Sequence, residues 1–476
     1  MNAEKYHKVL RAVAAALVLI STFCNRHSFD LQEWDESRNG VNAYEMFFNG
    51  DYVNLYYDNE PDTWNAKPPL LVWSIALSYK VFGFNEFALR FPTAICALGF
   101  FMVLFVMIRR FSSETAASLT CLVLLSCKAI YGMHVGLTGD FDMMLAFFLT
   151  CSVYFFLLFL EDNKTGAVYL SAVCAGLAFY TKGPASLLLF PGLFLYVIIR
   201  RIGILKSVHI WMALILFAGI AGSWLAIHSL FGKPVESSFY GSETSVETMF
   251  VHDTYRRIFE KDFDGSGNIN RDPLFLFTVL DSKFNIWNYL LFLMLILSVF
   301  RYARKHSGIP TGGSGQNLMK LSVCIVLPPA ILFSFAHTAH PWYMAPAFPF
   351  IAFLVVFFFL SLYRQYKFMV PLGILVLVFT LSRQLFYLGT LPRGMHVSFT
   401  NNQKLAGREV MLTAMPSQDL LLYMKWLKVS YKIVSPGSAL TKDDLVLVHK
   451  PDMASALDGF VIAGELGRYY LLTPVK

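Results

Sequence analysis

The chain has 476 residues, 56% hydrophobic and 15% charged, with a mean hydropathy of +0.52 and 45 phenylalanines. Soluble domains run near a quarter charged, so these values exclude a water-soluble fold and intrinsic disorder alike and leave a polytopic membrane protein. The formal charge of +7 then calls for no nucleic acid, because Lys and Arg collect in the cytoplasmic loops of such proteins.

About 20 apolar residues cross a bilayer. On that rule spans are predicted at 9–24, 88–108, 116–135, 143–160, 167–181, 184–199, 208–230, 286–300, 321–338, 345–362 and 368–388. The first run has no small-residue cleavage site after it and reads as a retained helix, not a removed signal peptide. The run 69–83 follows Lys67-Pro68-Pro69 and contains Lys80. Its length suits a helix lying in the membrane interface. With the N-terminus inside, the cytoplasmic segments carry 15 Lys and Arg against four acids, whereas loop 25–87 carries four basic and ten acidic residues. That is the asymmetry of the positive-inside rule, and eleven spans leave the C-terminus outside.

The expected architecture is an all-α transmembrane domain over 1–388, with long outer loops at 25–87 and 231–285 and a small outer α/β domain over 389–476. In that tail Ser417 is expected to cap a helix at 418–427, and strands are expected near 408–413, 430–434, 445–449 and 468–473. Gly312-Gly313-Ser314-Gly315 reads as a hinge by composition, since no strand precedes it as a phosphate loop requires. The seven cysteines lie in or beside apolar runs. They form no CxxC or Cys/His cluster, so neither a disulfide framework nor a metal is expected from them.

Chemistry concentrates in the first outer loop: Trp34-Asp35-Glu36-Ser37-Arg38, then Ala43, Met46, Gly50 and Asp51, then Lys67-Pro68-Pro69-Leu70, Trp73, Phe82-Gly83, Glu86, Arg90 and Pro92. Taken singly, each acid reads as a solubilising loop residue. In order and spacing, however, the segment resembles the corresponding loop of the GT-C class membrane glycosyltransferases. In particular it resembles the dolichyl-phosphate-mannose protein mannosyltransferases and the lipid A aminoarabinose transferases. Their pattern is an Asp-Glu near the end of the first span, an Arg shortly after, and Lys-Pro before an interfacial helix ending in Phe-Gly. The match is specific over 31–92 and extends by topology to about residue 390.

The resemblance implies a GT-C fold and an inverting transfer of a sugar from a polyprenyl-phosphate donor to a hydroxyl or phosphate of a lipid, glycan or protein. Such a reaction needs a base for the acceptor proton and cations for the departing phosphate. Asp35 matches the catalytic acid and Glu36 its supporting neighbour. Arg38, three residues on, shares the helix face of Asp35, where it can orient that carboxylate or pair with phosphate. Asp140 in Asp140-Phe141-Asp142 matches a second catalytic acid, with Asp142 in a supporting place; the same pair also reads as N-terminal helix acids. Lys67 and Lys182, the latter in Thr181-Lys182-Gly183-Pro184, match donor-phosphate ligands. A cation beside such apolar runs either serves function or snorkels to the interface. His340 and Tyr343 match a basic-x-x-Tyr-x-x-Pro segment that reaches the phosphate, with His where Lys or Arg is commoner; Trp342 and Tyr343 also suit an aromatic belt. Arg256, Arg257 and Arg271 supply further candidate cations.

No cofactor is required on this reading, although the acidic pair leaves a divalent metal open. The expected partners are the lipid-linked donor, its acceptor and membrane lipids. The short loops, without a large inserted domain, point to a bacterial inner membrane. The competing class is a transporter or flippase for an anionic or lipid-linked substrate, which would carry its charges at mid-membrane and not at outer helix ends.

Overall fold

The computed structural model describes residues 3–24, 26–62, 64–233, 235–237, 241–260, 272–303, 315–363, 365–401, 405–434, 444–451 and 460–474. Arg271 and most of the Gly312–Gly315 hinge lie outside the described residues. The chain divides into two units. The first comprises Met1–Cys24, Pro61–Leu71 and Thr93–Phe386, and the second comprises Asn25–Glu60, Val72–Pro92 and Tyr387–Lys476.

The first unit is helical. Among the described residues six helices of the chain are long and apolar enough to cross a membrane: Glu86–Phe111 (α4), Phe141–Asp162 (α6), Val208–Phe231 (α9), Gln316–Phe335, Pro341–Leu362 and Met369–Ser398. Thr165–Leu187 and Phe190–Lys206 qualify together but meet at a 75° bend, and Leu70–Phe82 (α3), Glu114–Leu125 (α5) and Ile286–Phe300 are apolar but shorter. Such a set of helices makes this an integral membrane protein. The thirteen-residue α3 has the interfacial length read from 69–83.

Helix α6 packs on Thr165–Lys182 (α7), and α7 packs on α9. Leu158, Phe159, Ala167, Val168, Ala172, Ile210 and Ala213 fill the space between them. A Cβ at Gly176 would stand 2.5 Å from Ile220, so the α7–α9 approach requires glycine there. A polar contact also joins α6 and α7, where the Ser171 hydroxyl donates to the Ser152 carbonyl at 2.9 Å. The backbone behind the predicted span 116–135 behaves differently: helix α5 stops at Leu125, and residues 126–139 run as turns. Non-helical backbone is tolerated at membrane depth only when protein buries and satisfies it. Here the Gln384 amide donates to the Tyr131 carbonyl at 2.8 Å, and the Trp287 indole to the Ser126 hydroxyl at 2.7 Å.

The second unit gathers distant stretches of chain. Helix Asp35–Asn49 (α2) packs on helix Gln418–Trp426 so closely that a Cβ at Gly40 would meet Leu422 at 2.4 Å. Lys425 on that second helix bonds Glu45 at 2.6 Å and Asp58 at 3.3 Å. Beside them lies a five-stranded sheet in the order Ser430–Ile433, Glu409–Leu412, Val446–His449, Tyr469–Pro474, Phe460–Leu466. The first three strands are parallel neighbours and the last two pair antiparallel. Four of these strands and the helix match the sequence expectation; the strand Phe460–Leu466 was not expected. Ser417 precedes the helix but does not cap its backbone. Its hydroxyl donates to Asp419 at 2.6 Å instead.

Candidate active site

Within the first unit the predicted residues cluster at the N-terminus of α6. Asp140 is its N-cap and Asp142 lies in its first turn, both nearly excluded from solvent. The partial positive charge of a helix N-terminus favours carboxylates there. The Thr138 hydroxyl donates to Asp140, and His134 Nδ1 stands 3.9 Å from the same carboxylate. His134 itself occupies the left-handed region at φ 66°, a strained position typical of functional loops.

Lys182 closes α7 at the bend. Its ammonium donates to both Asp142 oxygens, at 2.7 and 2.8 Å, and lies 5.2 Å from the Tyr343 ring centroid. Gly183, which follows, has φ 52°, and a Cβ on it would meet Met249 Sδ at 2.5 Å. The turn after Lys182 therefore demands glycine. The Tyr343 hydroxyl accepts from Arg257 Nη1 at 2.8 Å, and Arg257 also pairs with Asp253 at 3.1 Å. Trp342 stacks with His134 at 4.2 Å and with His340 at 4.3 Å between centroids. Lys283 completes the group, its ammonium 5.5 Å from the Trp342 ring. Burial is the main force pushing the Lys283 ammonium down to about 8, with Lys128 adding to it and Asp142 opposing. Lys67 sits against α6 as well, 5.2 Å from the Phe141 ring, with Asn65 Oδ1 at 3.4 Å.

The structure thus brings Lys67, Asp140, Asp142, Lys182, His340 and Tyr343 to one end of the first unit. His340 offers its ring as a flat stacking partner. Of the three arginines, Arg257 joins the cluster, Arg256 instead meets His252 at 2.9 Å and Glu260 at 3.5 Å, and Arg271 is not described. Sequence reasoning missed Lys283, His134 and the stacking of Trp342. The signal for Lys283 was present: a lone cation directly before an apolar run, like Lys182.

The second unit holds Asp35, Glu36 and Arg38. Asp35 is half-buried at the first position of α2, after Trp34 at φ 73°. Glu36 is buried and meets Arg90 in a two-pronged ion pair, Nε to Oε1 at 2.6 Å and Nη2 to Oε2 at 2.9 Å. The same guanidinium donates to the carbonyls of Arg26, Phe29 and Asp30, each at 3.0 Å, and lies 3.4 Å from the Phe29 ring. These contacts hold the segment on either side of Asp35. Arg38 lies over the Tyr57 ring at 4.4 Å.

Comparison with known proteins bears out the likeness to membrane glycosyltransferases. Residues 66–226 match the family described as dolichyl-phosphate-mannose-protein mannosyltransferase. A protein of Aquifex aeolicus is 24% identical over 68% of this chain and 58% of its own length. The undecaprenyl phosphate-alpha-4-amino-4-deoxy-L-arabinose arabinosyl transferase 2 of Pseudomonas fluorescens is 26% identical over 47% of this chain and 39% of its own. The chain therefore spans less than two thirds of these relatives. Its fold is that of ArnT from Cupriavidus metallidurans, crystallised with undecaprenyl phosphate: TM-score 0.70, 16% identity, 99% of this chain and 98% of that one. The oligosaccharyltransferase of Archaeoglobus fulgidus, in the form tethered to an acceptor peptide, follows at TM-score 0.56 and 11% identity, over 93% of this chain and 61% of that one.

Proposed function

We propose that this protein is an inverting glycosyltransferase that moves a sugar from a polyprenyl-phosphate donor to an acceptor hydroxyl or phosphate on the outer face of a bacterial inner membrane. The observation that carries the reading is the grouping of Lys182, Arg257 and Lys283 around Tyr343 and Trp342. Fixed cations and a phenol suit a phosphate whose charge grows as the glycosidic bond breaks. Lys67 and His340 belong to the same phosphate-binding set, and Arg38 is assigned to it by its place in the first-loop motif. Asp35 is the base for the acceptor proton, held in place through the Glu36–Arg90 pair. Asp140 is the second acid, and Asp142 supports Lys182.

On this reading no metal is required. Asp142 is already neutralised by Lys182, which disfavours a divalent ion at the acidic pair. A cytoplasmic N-terminus follows from the loop charges, which favour the inside for the basic segments. The two relatives with undecaprenyl phosphate in their names or crystals support a donor of this class.

The test is to incubate the purified protein in lipid nanodiscs with a panel of polyprenyl-phosphate sugars and candidate acceptors. Release of lipid phosphate together with a glycosylated acceptor supports the proposal. Vectorial movement of the intact lipid with no cleavage would refute it in favour of a flippase.

A further inference from the structure

We infer that Lys283 reads the charge gained on transfer, holding the phosphomonoester left behind more tightly than the phosphodiester that enters. The inference rests on the donor class proposed above. In that reaction the bond from the anomeric carbon to the phosphate oxygen breaks, and its electron pair stays on that oxygen. The acceptor oxygen bonds the anomeric carbon, and the acceptor proton goes to the base. The phosphate passes from one negative charge to two.

Three observations single out Lys283. It lies at the end of a π-helical stretch, Leu280–Phe284, closed by Asn285 at φ 50°, so its backbone is fixed. Its ammonium meets the Trp342 ring, part of the same aromatic group that carries Tyr343. It also stands outside the pairing that neutralises its neighbours: Lys182 occupies both oxygens of Asp142, and Arg257 pairs with Asp253. The titratable groups that act on Lys283 are Asp142, Lys128 and Cys127, and His134 and His340 stack on the indole it faces. Asp142 thus answers two cations, Lys182 by direct contact and Lys283 at longer range. An additional negative charge arriving here meets a poorly solvated ammonium, where attraction is strongest. The cation–π contact and Asp142 keep that ammonium charged at neutral pH, although burial pushes it down to about 8.

The experiment uses the full chain in nanodiscs and two labelled probes, undecaprenyl phosphate and its methyl phosphodiester. At about pH 7.5 the monoester is doubly charged and the diester singly charged. Wild type is expected to prefer the monoester by at least about tenfold, and Lys283→Met to reduce that preference to about twofold. Lys283→Arg retains the preference. As the pH rises above about 8, the wild-type preference falls progressively while that of Lys283→Arg holds, because arginine stays charged. Since Lys283→Met can fail to fold, the comparison of wild type with the arginine variant stands on its own. Identical pH courses for those two, or an undiminished preference in Lys283→Met, overturn the inference and leave the donor class intact. Failure of wild type to bind either lipid overturns both. Inorganic phosphate is expected to leave the lipid bound; displacement by it at submillimolar concentration overturns the assignment to a lipid-borne phosphate.

Discussion

Removing one end of the Glu36–Arg90 pair leaves a charge in a site with no solvent access to either side chain. Breaking such a pair costs about 3–5 kcal/mol. The two ends are not equivalent. Glu36→Gln removes one carboxylate, while Arg90 keeps the carbonyls of Arg26, Phe29 and Asp30. Arg90→Met leaves the buried carboxylate without its counter-charge, with the Gln32 amide N–H still donating to it at 2.8 Å, and takes the Arg90 donor from the Arg26 and Phe29 carbonyls, each orphaned carbonyl adding about 1–3 kcal/mol if water cannot reach it. We therefore expect roughly 3 kcal/mol for Glu36→Gln and at least roughly 5 kcal/mol for Arg90→Met. The double variant should cost no more than Arg90→Met alone, because the stranded carboxylate is gone. Hydrogen exchange at the α2 amides, read by mass spectrometry, reports the local opening free energy of this unit without assuming a two-state membrane protein. Additive costs in the double variant, or equal costs for the two single ones, would falsify the reasoning.

Asp35→Asn should lower transfer by about 100-fold or more while leaving α2 exchange unchanged; near-normal turnover would remove Asp35 from the role of base. Lys67→Ala and Lys182→Ala should shift donor saturation more than acceptor saturation. Since Lys182→Ala strands the buried Asp142, the same comparison in Lys182→Ala/Asp142→Asn separates binding from stability; a shift confined to the acceptor curve would move the lysines to acceptor recognition. In excess chelator at least about half the rate should remain, because fixed cations serve the phosphate; complete loss, restored by one divalent metal, would make the acidic pair a metal site.

The sequence made the composition of the cluster around Lys182 readable but not its geometry. Lys182 and Asp142 stand out singly because charges beside long apolar runs are costly, yet their direct contact depends on the α6–α7 packing and the bend at Gly183. Hydropathy extended the third span to 135 because residues 126–135 are mostly apolar, and it could not register that Gln384 satisfies the Tyr131 backbone from far along the chain. Lys283 carries the same local signal as Lys182, a lone cation beside an apolar run, but its burial against Trp342 depends on residues distant in sequence. The tail was legible as α/β from its own strand and turn residues. The strand Phe460–Leu466 escaped because it shows no clean alternation, with Ala463 and Gly464 in its middle and most of its side chains at the surface. That the tail shares a unit with 25–60 was invisible, since the pairs joining them, Lys425 with Glu45 and Tyr431 with Asp58, are separated by most of the sequence.

That last arrangement has a bearing on biosynthesis. Glu86 in the second unit accepts from the Tyr423 hydroxyl, 337 residues later in the chain. At ribosomal speeds of about 5–20 residues per second, roughly 20 to 70 seconds separate the emergence of one from that of the other. Throughout that interval Glu45, Asp58 and Glu86 are synthesised without the residues that finally bury or neutralise them. The unit bearing Asp35 is therefore completed only after the last helix has been made, and a nascent or prematurely terminated chain carries its first long loop unassembled.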